Sequence, residues 1–148
     1  MTKVLVLCAT GMLGHTLLRQ LSADSSFQVA ATARTTDGLP ASLPQLLRDA
    51  VVPGVDGREV ASVRKVLGAT RPDVVINCIG VIKQDPGMAD VANTIALNSL
   101  VPHLLAQACL ERQAPLMHVS RFRVFRRTRR RHRRSPWTAN SKRAGAKF

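Results

Sequence analysis

Residues 3–14 of this 148-residue chain read Lys-Val-Leu-Val-Leu-Cys-Ala-Thr-Gly-Met-Leu-Gly, and they give the clearest indication of its fold. An apolar run typical of a buried strand leads into a turn that contains Gly11 and Gly14, and a helical pattern of leucines follows at once. A strand, turn and helix in this order present backbone N–H groups and the positive end of a helix to a pyrophosphate. The stretch therefore predicts a dinucleotide site, with a plain turn between strand and helix as the alternative.

Strand and helix patterns alternate through the first 120 residues. The sequence predicts strands at 3–8, 27–33, 51–52, 73–77 and 116–119, and helices at 12–23, 43–49, 56–67 and 89–110. This alternation is typical of an α/β fold with a parallel sheet and helices on both faces. We expect the sheet to stop after about the fifth strand.

Charge divides the chain in two. Residues 1–120 carry a net charge of +1, whereas residues 121–148 carry +12 and contain no acidic residue. A block of like charges repels itself and is usually disordered. The composition therefore predicts a folded domain over 1–120 and an Arg-rich tail over 121–148.

The cysteines and the N-terminus favour a reducing compartment. Cys8, Cys78 and Cys109 have no paired spacing typical of a zinc or redox motif, so we expect free, buried thiols and no metal site. The N-terminus lacks the pattern of a signal peptide, and no apolar run approaches membrane-spanning length. We expect a soluble cytoplasmic protein without a membrane partner.

The glycine turn resembles that of the extended short-chain dehydrogenase/reductase family, in particular its dTDP-4-dehydrorhamnose reductase-type sugar-nucleotide reductases. That family writes the turn Gly-Ala-Thr-Gly-x-Leu-Gly, and this chain departs from it by placing Cys8 at the first glycine. The resemblance implies a Rossmann-type fold that binds NADP or NAD. The cofactor-binding residues it implies at this turn are Thr10, Gly11, Met12, Leu13 and Gly14. If the first position needs a positive φ, cysteine would strain the turn by roughly 1–3 kcal/mol.

Two charged residues bear on the choice of cofactor. Arg34 ends the second predicted strand, where an arginine can meet the 2′-phosphate of NADP and an acid would hold the ribose of NAD. A solvated charge at a strand end is the alternative, so NADP is favoured without excluding NAD. By the same resemblance Asp56 would lie near the adenine, and it could also cap the helix that follows.

The fourth strand ends in Asn77-Cys78-Ile79-Gly80, which resembles the family's Asn-x-Ala-Gly turn beside the nicotinamide ribose. Asn77 and Gly80 are therefore further cofactor-binding candidates, although Gly80 could be an ordinary loop glycine. Asn98 matches an asparagine that the family carries on the next helix. A polar residue on an apolar helix is more often a satisfied core contact than a catalytic group.

The catalytic residues of the resembled family have no counterpart here. The family continues with Ser-Thr-Asp-x-Val-Phe-x-Gly and a later Tyr-x-x-x-Lys, in which the tyrosine exchanges the carbinol proton. This chain matches the lead-in through Ser120, continues with Arg121 and contains no tyrosine. No catalytic residue is assigned, and we expect a dinucleotide-binding part of an oxidoreductase that is inactive alone. A nucleotide-sugar substrate is expected only for an intact relative.

A shifted reading frame explains the break. If residues 121–127 are encoded CGA-TTT-CGT-GTT-TTC-CGG-CGC, a neighbouring frame reads Asp-Phe-Val-Phe-Ser-Gly, which is the missing family motif. We therefore expect the residues after Ser120 to be a frameshifted translation.

Two other functions remain open. The Arg-rich tail could bind nucleic acid without sequence specificity, with a steep dependence on salt and with Phe122, Phe125 and Trp137 stacking on bases. A regulatory protein that binds a cofactor without catalysis would need a tail docked on the sheet edge. The tail lacks the apolar periodicity for such docking.

Overall fold

The computed structural model describes residues 1–81 and 90–119. The predictions for the Arg-rich tail, and the first residue of the helix predicted at 89–110, lie outside the described residues. No helix in the described part is long and apolar enough to cross a membrane.

Five parallel strands form one sheet in the order β3-β2-β1-β4-β5. The strands are β1 (Thr2–Leu7), β2 (Phe27–Thr32), β3 (Val51–Val52), β4 (Val74–Asn77) and β5 (Leu116–His118). The order runs outward from β1 in both directions, so the chain switches sides of the sheet between β3 and β4. In open α/β sheets the ligand crevice lies at such a switch point, outside the carboxyl ends of the strands.

The helices lie on both faces of the sheet, as the sequence predicts. They are α1 (Met12–Ser22), α2 (Gln45–Asp49), α3 (Val60–Thr70), α4 (Val91–Ile95) and α5 (Val101–Leu110), with one π-helical turn at Ala96–Leu100 between α4 and α5. The prediction of a helix from residue 56 is wrong at its start, because residues 56–59 form a turn and α3 begins at Val60.

Side chains of β1 divide the core between the two faces. Leu5 and Leu7 pack with residues of α3 and α5, whereas Val4 and Val6 pack on the opposite face with Leu18 of α1. Alternate residues of a strand point to opposite faces, so a continuous apolar run is the pattern of a strand covered on both sides. Val6, Leu5 and Leu7 are fully buried.

The π-helical turn has a cause in the sequence. Pro102 has no N–H to donate to the carbonyl of Asn98, and its ring would collide with that carbonyl in a regular α-helix. A single turn of wider helix relieves this conflict. The turn contains Asn98, which contacts the loop after β4.

Candidate dinucleotide-binding site

A cleft lies outside the carboxyl ends of β1, β2 and β4. Four of the predicted cofactor-binding residues line it: Thr10, Arg34, Asp56 and Gly80. Gly11, Met12, Leu13 and Gly14 form the turn beside it and the start of α1, and Asn77 ends β4. The structure therefore brings the predicted residues to one edge of the sheet. The remaining lining comes from Cys8, Thr32, Ala33, Val55, Gly57, Arg58, Ile79, Val81 and Leu97.

The β1–α1 turn leads into the N-terminus of α1. Gly11 N–H donates to the carbonyl of Cys8 at 3.3 Å. Within residues 1–81 and 90–119 no side chain caps α1, and its first turn contains no acidic residue. The first N–H groups of a helix have no partner within it and carry partial positive charge. This turn therefore has the donor chemistry that a pyrophosphate needs.

Gly14 and Gly11 meet different surroundings. A Cβ on Gly14 would lie 1.9 Å from the Cys8 carbonyl oxygen and 2.8 Å from the Cys8 carbonyl carbon. A Cβ on Gly11 would meet only ordinary contacts, 3.5 Å from Cys8 Sγ and 3.6 Å from Cys8 O. Gly14 is therefore required for the packing of α1 on the end of β1, and the protein itself leaves room for a side chain at Gly11.

Cys8 occupies the left-handed region, with φ of 74°. This backbone conformation suits glycine and strains an L-residue with a side chain. The first position of the turn therefore has a positive φ, and Cys8 strains it. The Cys8 amide donates to Thr32 Oγ1 at 3.3 Å and the next amide, of Ala9, donates to the Thr32 carbonyl at 2.7 Å. These bonds to β2 hold the turn in place.

Replacement of Cys8 by the glycine of the family motif is expected to stabilise the protein. Cys8→Gly should raise the free energy of unfolding by about 1 kcal/mol, because relief of the left-handed strain outweighs the greater flexibility of glycine in the unfolded chain. Chemical denaturation of both proteins measures the difference. Cys8→Ala is the control, since it removes the thiol and keeps the strained Cβ. An equal gain from both variants would show that the strain is absent.

Arg34 follows β2 and lines the cleft with its side chain exposed. It forms no ion pair with any carboxylate in residues 1–81 and 90–119. Its charge helps to lower the pKa of Asp56, which lines the same cleft. The cleft thus contains an arginine available to an anion.

Asp56 is held by Arg58, a residue outside the set of predicted site residues. The Arg58 guanidinium lies 2.6 Å from Asp56 Oδ2, and the Arg58 amide donates to Asp56 Oδ1 at 2.9 Å. These hydrogen bonds are the main cause that lowers the pKa of Asp56. Arg58 also donates to Asn93 Oδ1 of α4 at 3.3 Å. The Asp-x-Arg spacing at the turn was the signal for this contact.

The alternative role of Asp56 as a helix cap is wrong. The N-cap of α3 is Glu59, whose side chain makes no capping bond. Asp56 lies three residues earlier and caps the turn instead, by accepting the Arg58 amide. Ser62 Oγ donates to the Asp56 carbonyl at 3.0 Å and joins this turn to the start of α3.

Asn77 is fully buried and both ends of its amide are used. Its Oδ1 accepts from the Ile79 amide at 2.9 Å, and its Nδ2 lies 3.0 Å from His118 Nδ1. Because Oδ1 is the acceptor for Ile79, Nδ2 is the donor and His118 Nδ1 accepts. The Asn77 side chain therefore shapes the loop after β4 and ties it to β5. The sequence offered no partner for His118.

Asn98 holds the same loop from the other side. Its Oδ1 accepts from the Val81 amide at 2.9 Å, and its Nδ2 donates to the Val81 carbonyl at 3.0 Å. A Cβ on Gly80 would lie 3.1 Å from Asn98 Oδ1. The prediction of a satisfied core contact is correct for the hydrogen bonds of Asn98 and wrong for its burial, because the residue is exposed. The close approach gives Gly80 a reason to be glycine.

Removal of the Asn98 amide is expected to loosen this loop. Asn98→Ala should lower the free energy of unfolding by about 2 kcal/mol, because Val81 is buried and loses partners for both backbone groups. Asn93→Ala on the neighbouring helix, which loses one exposed contact to Arg58, should change it by less than about 0.5 kcal/mol. Urea denaturation compares the two. Equal effects would contradict the role given to Asn98.

All three cysteines are free. The prediction that Cys8 and Cys78 are buried is only partly correct, since each is half-buried, whereas Cys109 is fully buried. Residues 1–81 and 90–119 contain no cluster of His, Cys, Asp and Glu that could hold a metal ion.

Comparison with known proteins decides the family. The family model described as RmlD substrate binding domain matches residues 1–144. The chain belongs to this family. The match includes most of the Arg-rich segment, whose structure lies outside the described residues.

One curated relative of this RmlD-family chain is a probable ketoreductase. The chain is 32% identical over 122 residues to the probable dTDP-4,6-dihydroxy-2-methyloxan-3-one 4-ketoreductase of Streptomyces antibioticus. This match covers 82% of the chain and 35% of the relative. The chain therefore spans about a third of the length of this curated relative.

Solved structures share the fold. The dTDP-4-dehydrorhamnose reductase of Bacillus anthracis, solved with NADP, aligns with a TM-score of 0.59 at 18% identity, over 78% of this chain and 34% of that one. The UDP-glucose 4-epimerase of Thermus thermophilus, solved with NAD, aligns with a TM-score of 0.62 at 23% identity, over 76% of this chain and 35% of that one. The Rossmann-type fold and the family resemblance are confirmed.

Proposed function

We propose that residues 1–119 bind NADP in the cleft at the carboxyl edge of the sheet. The observation that carries the proposal is Arg34, which lines the cleft beside the glycine turn and has no carboxylate partner in the described residues. An arginine at the end of the second strand of this fold can bind the 2′-phosphate of NADP. One solved structure of the same fold contains NADP and another contains NAD.

The remaining residues fit a dinucleotide. The turn of Thr10, Gly11, Met12 and Leu13 would bind the pyrophosphate through backbone N–H groups, with Gly14 seating the helix behind them. Asp56 would lie beside the adenine, and its pairing with Arg58 keeps its charge from repelling the 2′-phosphate. Gly80 would lie beside the nicotinamide ribose, and Asn77 would shape the loop that carries Gly80.

Fragments of the cofactor test the adenosine half of this site. We expect 2′,5′-ADP to bind about 10- to 100-fold more tightly than 5′-AMP, because hydrogen bonds to charged groups contribute about 1.5–3 kcal/mol. Isothermal titration of the full chain measures both. Equal affinities would show that Arg34 does not meet the 2′-phosphate.

The proposed activity of this chain is binding without carbonyl reduction. The 148 residues contain no tyrosine to exchange the carbinol proton, and Arg121 follows Ser120 where the family has a hydroxyl residue. A nucleotide-sugar substrate and hydride transfer belong to a relative with the full set of groups. Loss of NADPH absorbance with a dTDP-4-dehydro sugar, above the rate without protein, would contradict the proposal.

The division after Ser120 is also a proposal. Residues 121–148 contain twelve basic residues and no acidic one, which supports a shifted reading frame. In the neighbouring frame, the codons proposed for residues 121–127 encode the Asp-x-Val-Phe-x-Gly motif. An independent reading of the coding DNA tests it. A missing or added base near the codon of Ser120 would support the shift. The proposal would be refuted if every arginine codon were confirmed and the neighbouring frame did not encode Asp-x-Val-Phe-x-Gly.

A second candidate function rests on that same charge. A segment of net charge +12 would bind nucleic acid through phosphates, with an affinity that falls steeply as salt rises. Binding of a DNA duplex at low and physiological salt measures this. Binding that persists at physiological salt and prefers one sequence would favour a nucleic-acid function. Binding that is lost at physiological salt would indicate only non-specific attraction between the basic segment and phosphates.

A further inference from the structure

Two cysteines lie side by side at the edge of the sheet that forms the cleft. Strands β1 and β4 are parallel neighbours, and Leu7 and Asn77 are their last paired residues. Cys8 and Cys78 directly follow these two residues, and Cys8 turns out of the strand direction with a φ of 74°. The Cys78 amide donates to the Leu7 carbonyl at 3.2 Å, so the hydrogen-bonding pattern continues to this position.

This placement suits a disulfide. Neighbouring strands of a sheet lie about 4.8 Å apart, and disulfide-bonded cysteines have Cα atoms about 4.4–6.8 Å apart. Both thiols are free and half-buried. The third cysteine, Cys109, is fully buried in α5, in the core on the face of the sheet opposite α1.

The two thiols differ in access. Cys8 lines the cleft, with its Sγ 3.9 Å from Thr10 Oγ1. Cys78 packs against the apolar cluster under α1. Burial, and secondarily the charge of Cys8, raise the pKa of Cys78 to about 11. A reagent entering the cleft therefore meets Cys8 first.

We propose that Cys8 and Cys78 are a thiol pair that forms an intramolecular disulfide by exchange with a small-molecule disulfide. The Cys8 thiolate attacks one sulfur of the reagent and releases the first thiol. The Cys78 thiolate then attacks Cys8 Sγ, forms the Cys8–Cys78 bond and releases the second thiol. The two cysteines are oxidised, the reagent is reduced to two thiols, and these take up the two protons.

Oxidised glutathione and the full reduced chain test this pair. After reaction, remaining thiols are alkylated, and trypsin places the cysteines in peptides 4–19, 66–83 and 84–112. We expect one alkylated cysteine instead of three, in peptide 84–112, and a disulfide between the other two peptides. Three alkylated cysteines, a persistent glutathione adduct, or a bridge to peptide 84–112 would each overturn the proposal.

Cysteine variants and a urea-unfolded control show whether the fold, and not the reactivity of the thiols alone, selects the Cys8–Cys78 pair. Cys109→Ser should leave the bridge unchanged, and Cys78→Ser should stop the reaction at a glutathione adduct on Cys8. In urea the three possible pairings should all appear. A native chain with the same mixture of pairings as the unfolded chain would show that the fold does not bring Cys8 and Cys78 together. None of these results depends on dinucleotide binding.

The second step should depend on pH. Burial, the main cause of the raised pKa of Cys78, persists after Cys8 has reacted, so the thiolate fraction of Cys78 increases with pH. Closure of the ring, followed as loss of the glutathione adduct by mass spectrometry, should therefore be at least roughly tenfold faster at about pH 9 than at about pH 7. Closure at the same rate at both values would contradict the assignment of Cys78 as the second nucleophile.

Discussion

Gly14→Ala is expected to lower the free energy of unfolding by about 3 kcal/mol or more, the largest effect on stability among these variants. The added Cβ would lie 1.9 Å from the Cys8 carbonyl oxygen. That oxygen belongs to the backbone at the end of the central strand, so it cannot move without disturbing β1. Thermal and urea denaturation, followed by circular dichroism, measure the loss.

Gly11→Ala is the matched control for this prediction. Its Cβ meets only ordinary contacts within the protein, and the backbone φ of Gly11 is −74°, which alanine adopts freely. We therefore expect stability within about 0.5 kcal/mol of the parent, together with at least a roughly tenfold loss of NADP affinity, because the methyl group blocks the approach of the phosphates. Equal destabilisation by the two variants would refute the packing role of Gly14.

Arg34→Gln is expected to cause the largest change in binding. It should weaken NADP binding by about 10- to 100-fold, because a charged hydrogen bond to the 2′-phosphate contributes about 1.5–3 kcal/mol. Affinity for NAD, which has no 2′-phosphate, should change by less than about threefold. Isothermal titration of the variant with each cofactor measures both affinities.

Arg19→Gln provides the control for charge. Arg19 is exposed in the last turn of α1, at the end of the helix away from the glycine turn. The Arg19→Gln substitution removes the same unit of charge as Arg34→Gln and lies away from the cleft. It should therefore leave the preference for NADP over NAD unchanged. An equal loss of NADP affinity in both variants would assign the effect to net charge and not to Arg34.

Much of the fold follows from local patterns. The run of Val and Leu before Gly11 has the length and apolarity of a strand buried on both faces, and the leucines after Gly14 repeat at helical spacing. The site could be anticipated because parallel strands bring their carboxyl ends to one edge. Residues that follow different strands, such as Thr10, Arg34 and Gly80, therefore line one cleft.

The rest depends on contacts between distant residues. The sequence predicts a helix from residue 56, but α3 begins at Val60 because Asp56 pairs with Arg58 in a turn. Asn98 reaches Val81 across 17 positions of sequence, and His118 reaches Asn77 across 41. No local propensity encodes such partners. The strain at Cys8 depends on its positive φ, which is a property of the folded backbone that the residue type alone does not fix.

Titration of the full chain with NADP and NAD tests whether the cleft is an NADP site. We expect one saturable NADP site per chain and binding of NAD about 10-fold or more weaker, since only NADP offers Arg34 a 2′-phosphate. Circular dichroism on the same sample establishes that the chain is folded. A folded chain that binds neither cofactor, or that binds NAD more tightly than NADP, would contradict it.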